Sequence, residues 1–388
     1  MHVKTFTLID QSKDIYLREL KLDPMDVDGG AAGWSVRKTT LRCGTSEGVD
    51  LIRVDNGAFK FDILPTRGMS VWKAWSGNDE IGWKSPVRGP VHPKFVPLME
   101  PSGLGWLDGF DELLVRCGLE SNGAPEFDDK NRVKYPLHGR IANKPASHVE
   151  VTVDGNEGEI TVKGIVEESR FHFFKLRMTS IYKTKVGEHG FRLTDEIENY
   201  SASPTEAQIL YHVNFGEPLL DAGSRFVAPL KKVVPRNDHA AGGIKNWDSY
   251  SAPEPAFAEQ VYFLELLGDA QGNTQSLLKN AHGTRGVSLY YNTKQLPCYS
   301  VWKNTTASQD GTVTGLEPAT NYPNPRSFEG EQGRVVKLAG GQKATYDLRL
   351  EYHSTAASVE SAEKKIAAIA GTTKPTIFDK PQKGICAP

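Results

Sequence analysis

The chain is poor in paired cysteines, long apolar runs and blocks of like charge, and each shortage closes off a class of function. Its 4 cysteines, Cys43, Cys117, Cys298 and Cys386, lie far apart with no C-x-x-C spacing. Zinc-ribbon and dithiol redox sites therefore lack their ligand pattern, and reduced thiols are expected. No stretch approaches the roughly 20 apolar residues of a bilayer-spanning helix. The start, MHVKTFTLIDQSKDIYLREL, has no apolar h-region, so the expected location is cytoplasmic. The 46 basic residues nearly balance 48 acidic ones, for a net charge of −2, which argues against nucleic-acid or membrane-surface partners. Gly103-x-Gly105-x-x-x-Gly109 misses the dinucleotide-loop spacing and follows no strand pattern, so a Rossmann site has little support. Helix signals are scarce as well: Ser358-x-x-Ser361-Ala362-Glu363 opens the one good helix, to about Ala370, with a polar tail beyond.

What is present is turn-rich strand. The composition, 38% hydrophobic and 24% charged with 37 Gly and 23 Pro, describes an ordinary globular chain able to bury a large core. TTLRCG, VDLIRV and AFKFDIL read as short strands, with a hairpin turn at Asp55-Asn56-Gly57. From His148 to Asn199 the period is two, with turns at Gly155 to Gly158 and Gly187 to Gly190. VYFLELLG, GVSLYYN and CYSVWKN continue the alternation, and VVKLAGGQKATYDLRLEYH reads as a last hairpin about Gly340-Gly341. The expectation is an all-β chain: one large antiparallel β-sandwich over 1–357, with few short helices, then a C-terminal helix and tail over 358–388. Between 85 and 137 the periodicity is lost in a Pro-, Gly- and aromatic-rich stretch, read as an ordered wall or lid over a site.

Several positions carry chemistry. In AQILYHVNFGEPLLD one face of a strand is apolar and the other presents Gln208, His212 and Asn214, close to the stop at Gly216 and Pro218. Taken alone, His212 reads equally well as a core histidine with satisfied nitrogens. His138 precedes Gly139 and Arg140, and singly it is as readily a structural hydrogen-bonder as a site residue. Arg67 lies in Pro65-Thr66-Arg67-Gly68, where a planar donor fork at a strand end suits oxygen ligands. Glu317 precedes Pro318, with Asn321 and Arg326 shortly after it and Trp302-Lys303 ahead of it. Glutamates at such places are commonly turn acids in water, and tryptophans such as Trp72, Trp106 and Trp302 are commonly core residues.

Read together, His138-Gly139-Arg140, the Leu193-x-Asp195-x-Ile197-x-Asn199 strand, Tyr211-His212-x-Asn214 and Glu317-Pro318, in this order on β-rich sequence, resemble the aldose 1-epimerase (galactose mutarotase-like) superfamily. Pro65-Thr66-Arg67-Gly68, Cys117-Gly118-Leu119, His212-x-Asn214-x-Gly216-x-Pro218-Leu219-Leu220 and Leu316-Glu317-Pro318 resemble a poorly characterised branch of it. The resemblance covers roughly Thr40 to His353. It implies a β-sandwich with a sugar cleft on its concave sheet, His212 as the acid, His138 as a second histidine near the ring oxygen, Glu317 as the base and Arg67 as a sugar-orienting arginine. Asn214, Arg140, Trp302, Lys303, Asn321 and Arg326 complete the expected substrate contacts. The usual His-x-Tyr-Phe-Asn-Leu is here His212-Val213-Asn214-Phe215-Gly216, and Arg140 stands where a second glycine is usual, so the sugar's identity stays open.

Opening a cyclic hemiacetal needs one group to take the anomeric hydroxyl proton and one to protonate the ring oxygen. No cofactor and no metal are required, and the expected partner is a small-molecule sugar, with the chain a monomer or homodimer. Glutamate titrates near ~4.3 and histidine near ~6.5 unperturbed, so His212 must be kept protonated by a negative neighbour, which Glu317 itself would supply. Competing readings use the same cleft: epimerisation of a keto sugar or uronate at carbon, or carbohydrate recognition without catalysis. A metal site from the two histidines and one carboxylate lacks ligand spacing, and glycoside hydrolysis would need a carboxylate partner such as Asp111 or Glu112.

Overall fold

Along Glu159–Ser169 and Lys175–Lys185 nearly every second side chain is buried and its neighbours are half-exposed, as expected of antiparallel strands with one wet face. In the computed structural model, which describes residues 1–388, these strands lie in a ten-stranded sheet. Its middle runs through Gly286–Asn292, Lys343–His353, Gly190–Asn199, Lys175–Lys185, Glu159–Ser169 and Ala146–Asp154. A fourteen-stranded sheet faces it, running through Gln260–Leu266, Cys298–Asn304, Val313–Ala319, Thr205–Phe215, Leu114–Leu119 and Ser70–Ser76 to a meander at Lys60–Leu64, Asp50–Asp55 and Ser35–Thr40. A core of 59 buried residues forms the main hydrophobic cluster, with both sheets contributing. The fold is thus the expected large antiparallel β-sandwich. No helix is long and apolar enough to cross a membrane.

A buried ion pair joins the layers. Arg116, on Leu114–Leu119, reaches Asp195 of the opposite sheet with Nε–Oδ2 at 2.9 Å and Nη2–Oδ1 at 3.0 Å, and both side chains are 0% exposed. The remaining donors of Arg116 go to the Met69 carbonyl and the Ser180 and Tyr182 hydroxyls. A fully satisfied pair of this kind fixes how the sheets stack, and removing one partner would strand the other charge.

The structure corrects the sequence reading in places. The segment 85–137 is not irregular throughout: Leu114–Leu119 is a strand paired with Thr205–Phe215. It is buried on both faces, LVRCGL without an exposed residue, so there is no alternation to see. Val3–Asp10, in what read as a polar start, pairs with Ala146–Asp154, and Asn273–Lys279 is a further strand pairing with Gly286–Asn292. The hairpin expected about Gly340-Gly341 does not form: Val336–Leu338 crosses to Thr205–Ala207, whereas Lys343–His353 pairs with Gly190–Asn199. The C-terminal helix spans Ala356–Ala370 and is capped by Thr355, with Ser358 the reciprocal partner of a capping box rather than the cap. Val359, Ala362 and Ile366 seat it on Leu277.

Candidate active site

The centre of the fourteen-stranded sheet brings the candidate residues together by register. Leu210 faces Ala319 and Val213 faces Leu316, which sets His212 opposite Glu317 and Tyr211 opposite Pro318. Residues directly opposite on antiparallel neighbours share a face with Cβ atoms about 4.5–5.5 Å apart. Accordingly His212 Nε2 lies 3.2 Å from Glu317 Oε1, with the two side chains 5% and 3% exposed. On the next strand Ser300 faces Glu317 and Trp302 faces Gly315. Gly315 is a spatial requirement: a Cβ there would stand 2.7 Å from Glu317 Oε1, 2.9 Å from His212 Cε1 and 3.2 Å from Trp302 Cε3.

The proton arrangement of His212 follows from its neighbours. Asn214 Nδ2 donates to the carbonyls of Glu112 at 3.0 Å and His212 at 3.3 Å, so its Oδ1 faces His212 Nδ1 at 2.6 Å as an acceptor. Nδ1 therefore carries hydrogen, and Nε2 is the position at which a proton can be shared with Glu317. Burial pushes the Glu317 carboxyl up to about 8, with the Glu259 carboxylate adding to the rise and Arg236 opposing it. Burial pulls the His212 imidazole down to about 3, helped by His138 and opposed by Asn214. At neutral pH one mobile proton is thus shared by the two groups, and it rests on Glu317. The sequence expectation of a standing His212 cation is replaced by a neutral pair, because an ion pair in a dry cavity loses its hydration.

His138 approaches from a different segment. Its backbone is left-handed, φ 56°, a conformation that costs of order 1–3 kcal/mol for a non-glycine residue. The following Gly139, at φ 72°, could hold no side chain, since a Cβ would lie 2.0 Å from the Ser121 carbonyl oxygen. The His138 ring sits 5.3 Å from that of His212. Nδ1 is 3.0 Å from the Asn122 carbonyl and donates to it, leaving Nε2 as an acceptor. Burial lowers the imidazole to about 4, so it is uncharged at neutral pH.

These three side chains line one cavity of about 340 Å³ with Leu104, Trp106, Leu107, Phe110, Trp302 and others, within the range of about 300–1,000 Å³ of small-molecule sites. Phe110 and Trp302 stand at 5.2 and 5.4 Å from the His212 ring and wall it in. Arg236 and Glu259 also line the cavity, and Glu259 accepts the Trp302 indole N–H at 2.7 Å. Sequence reasoning missed Arg236 and Glu259. Each flanks a strand, Leu230–Pro235 and Gln260–Leu266, but no motif marks them.

The other expected contacts stand outside the cavity wall. Arg67 is fully buried with each of its three nitrogens engaged: Nε bonds Glu112 at 2.6 Å, Nη1 bonds Asn143 at 2.7 Å and the Val91 carbonyl at 3.1 Å, and Nη2 bonds the Gly109 carbonyl at 2.9 Å. It holds the turn Gly105–Gly109 that carries Trp106, and through Glu112 it touches the residue whose carbonyl orients Asn214. Asn321 exchanges amide hydrogen bonds with Asn122, the partner of His138, and supports the site from behind. Lys303 alternates to the face opposite Trp302, where its Nζ donates to the Asn246 and Ser249 carbonyls and burial lowers it to about 8. Arg140 pairs with Glu120, and Arg326 binds the Glu120 carbonyl and Glu206; neither lines the cavity. No group of three or more His, Cys, Asp and Glu side chains is arranged to hold a metal ion.

With these features in place, the fold defines the class: the chain belongs to the aldose 1-epimerase, or galactose mutarotase-like, superfamily of β-sandwich proteins. Within it, residues 46–352 match the family described as Domain of unknown function (DUF4432), to which the chain belongs. The crystal structure of a putative aldose 1-epimerase from Klebsiella pneumoniae subsp. pneumoniae superposes with a TM-score of 0.94 at 36% identity, covering 98% of this chain and 99% of that one. A galactose mutarotase-like protein from Clostridium acetobutylicum shares the fold at a TM-score of 0.56 and 15% identity, covering 82% of this chain and 98% of that one. A galactose 1-epimerase from Lactobacillus acidophilus NCFM does so at 0.52 and 12%, covering 82% and 98%. No curated protein matches the chain.

Proposed function

We propose that the protein is an aldose 1-epimerase that interconverts sugar anomers by acid/base ring opening. The observation that carries this reading is the pair of His212 and Glu317, 3.2 Å apart on adjacent strands and lining one cavity with His138. The two oxygens of a hemiacetal carbon are close together, so a donor and an acceptor that touch each other suit them. With the shared proton on His212, Glu317 takes the proton of the anomeric hydroxyl, C1 becomes a carbonyl, and the C1–O5 electron pair leaves to O5, which takes the His212 proton. The pair passes from charged to uncharged and its proton count does not change. Rotation about C1–C2 and closure on the other face reverse the step, and the proton can return across the 3.2 Å contact.

Burial tunes both partners toward this work. A carboxylate raised to about 8 is a stronger base than an ordinary one, and an imidazolium lowered to about 3 is a stronger acid. General acid and base groups so placed contribute about 10²- to 10⁴-fold each. His138, an uncharged acceptor, is suited to hold a substrate hydroxyl beside the ring oxygen. The test is saturation-transfer NMR between anomeric protons of a panel of aldoses and uronates in deuterated buffer. Faster anomer exchange with no deuterium at carbon is expected. Deuterium at a ring carbon would transfer the assignment to epimerisation, and no acceleration with any sugar would remove the activity.

A further inference from the structure

On the inward face of Glu159–Ser169 the alternation runs Ile160, Val162, Gly164, Val166 and then Glu168, a carboxyl where the pattern asks for an apolar residue. Glu168 is 2% exposed. Its hydrogen bonds come from backbone alone: the Leu119 N–H donates to Oε2 at 2.9 Å and the Glu120 N–H to Oε1 at 3.4 Å. Burial raises the carboxyl to about 7 against those amides, with Glu120 adding to the rise and Arg140 opposing it. Burying such a group is unfavourable unless its bonds are made, and the bonds made here tie the ten-stranded sheet to the end of Leu114–Leu119 on the facing sheet.

That strand end grips His138. The Gly118 N–H donates to the His138 carbonyl at 3.1 Å, and the His138 N–H donates to the Gly123 carbonyl at 2.9 Å. The ring Nδ1 donates to the Asn122 carbonyl at 3.0 Å. The bonds that set the backbone and the tautomer of His138 thus all go to residues 118–123. Asn321 and Arg326 secure the same run by the Asn122 side chain and the Glu120 carbonyl, and Glu168 anchors its middle from across the sandwich. The Leu119 N–H needs one acceptor oxygen, which the carboxyl supplies with or without a proton.

We infer that Glu168 is a positioning residue for His138, fixing through the backbone of Leu119 and Glu120 the segment whose carbonyl sets the imidazole's tautomer and its place in the cavity. The inference rests on the mutarotase reading for its kinetic consequence. Glu168→Met keeps the length of the side chain and removes both acceptors, whereas Glu168→Gln keeps one. The kcat/KM for anomer exchange should fall by about 10- to 100-fold in Glu168→Met and stay within about threefold of wild type in Glu168→Gln. In a His138→Ala background the Met substitution should change kcat/KM by less than about twofold, because residues that act through one group are not additive. NMR of the ring nitrogens should show the Nδ1–H tautomer of His138 in the wild type and in Glu168→Gln, and a mixture of tautomers in Glu168→Met. Circular dichroism checks the fold, and Glu168→Asp, which withdraws both oxygens by one methylene, takes the place of the Met variant if that does not fold. Equal losses in the two backgrounds, no loss in Glu168→Met, or a His138 ring spectrum unchanged by it each overturns the inference. A wild type that accelerates exchange of no sugar sinks the mutarotase reading instead, and the ring spectra then decide the role of Glu168.

Discussion

Replacing Glu317 by glutamine keeps the shape of the pair and removes its mobile proton. The Gln amide can donate to His212 Nε2 in place of the carboxyl, so the 3.2 Å contact has an isosteric substitute and the sheet register is untouched. Loss of the base should slow anomer exchange by at least about 100-fold and up to about 10⁴-fold, equivalent to about 3 to 5 kcal/mol of barrier. Stability supplies an independent sign. The folded-state pKa of Glu317 is raised from 4.5 to about 8, so its contribution is fully present below 4.5 and is lost as pH rises toward 8. Glutamine has no such loss, and Glu317→Gln should therefore gain on the wild type in thermal midpoint between pH 5 and 8. Exchange is read by saturation-transfer NMR and the midpoint by scanning calorimetry. Exchange within about threefold of wild type in a folded variant would refute the base assignment. Parallel pH curves for the two midpoints would refute the raised carboxyl.

Other perturbations reach the same site from different directions. His212→Ala should also cost at least about 100-fold in exchange rate with the fold intact, checked by NMR alongside circular dichroism. Gly315→Ala places a methyl 2.7 Å from Glu317 Oε1 and should displace the pair, lowering kcat by about 100-fold and costing about 1 to 3 kcal/mol of stability; a fully active variant of unchanged stability would show that the cavity floor has slack. The wild-type rate should fall above about pH 8, where Glu317 loses the shared proton, and below about pH 4, where His138 and then His212 gain a second one; kcat/KM over pH 3 to 10 measures both limbs. Arg116→Met strands the buried Asp195 charge and should cost about 3 to 5 kcal/mol in denaturant unfolding, while exchange by the remaining folded protein is unchanged.

The β-class was legible because the ten-stranded sheet has a wet face: Glu159–Ser169 and Lys175–Lys185 write their burial into the sequence as a period of two. Leu114–Leu119 was not, because a strand covered on both faces has no period to read. His212, Glu317 and His138 could be picked out by residue type and order, and the cavity gathers all three. Arg67, Lys303 and Arg326 were picked by the same logic and stand outside it, since a cation's sequence neighbours do not reveal whether carbonyls and carboxylates already occupy its donors. Arg236 and Glu259 reach the cavity from strand ends that no spacing links to the acid/base pair.

The chain by itself decided the strand-rich composition, the apolar faces of its alternating strands and the residue types from which an acid/base pair can be drawn, because these depend on local periodicity and side-chain chemistry. The tertiary structure alone decided that residues 212 and 317 stand opposite each other, that Asn214 holds the imidazole tautomer, and that Arg236 and Glu259 line the same cavity as the pair. Those outcomes depend on cross-strand register and on how much water is excluded, and both arise only when segments distant in sequence pack together.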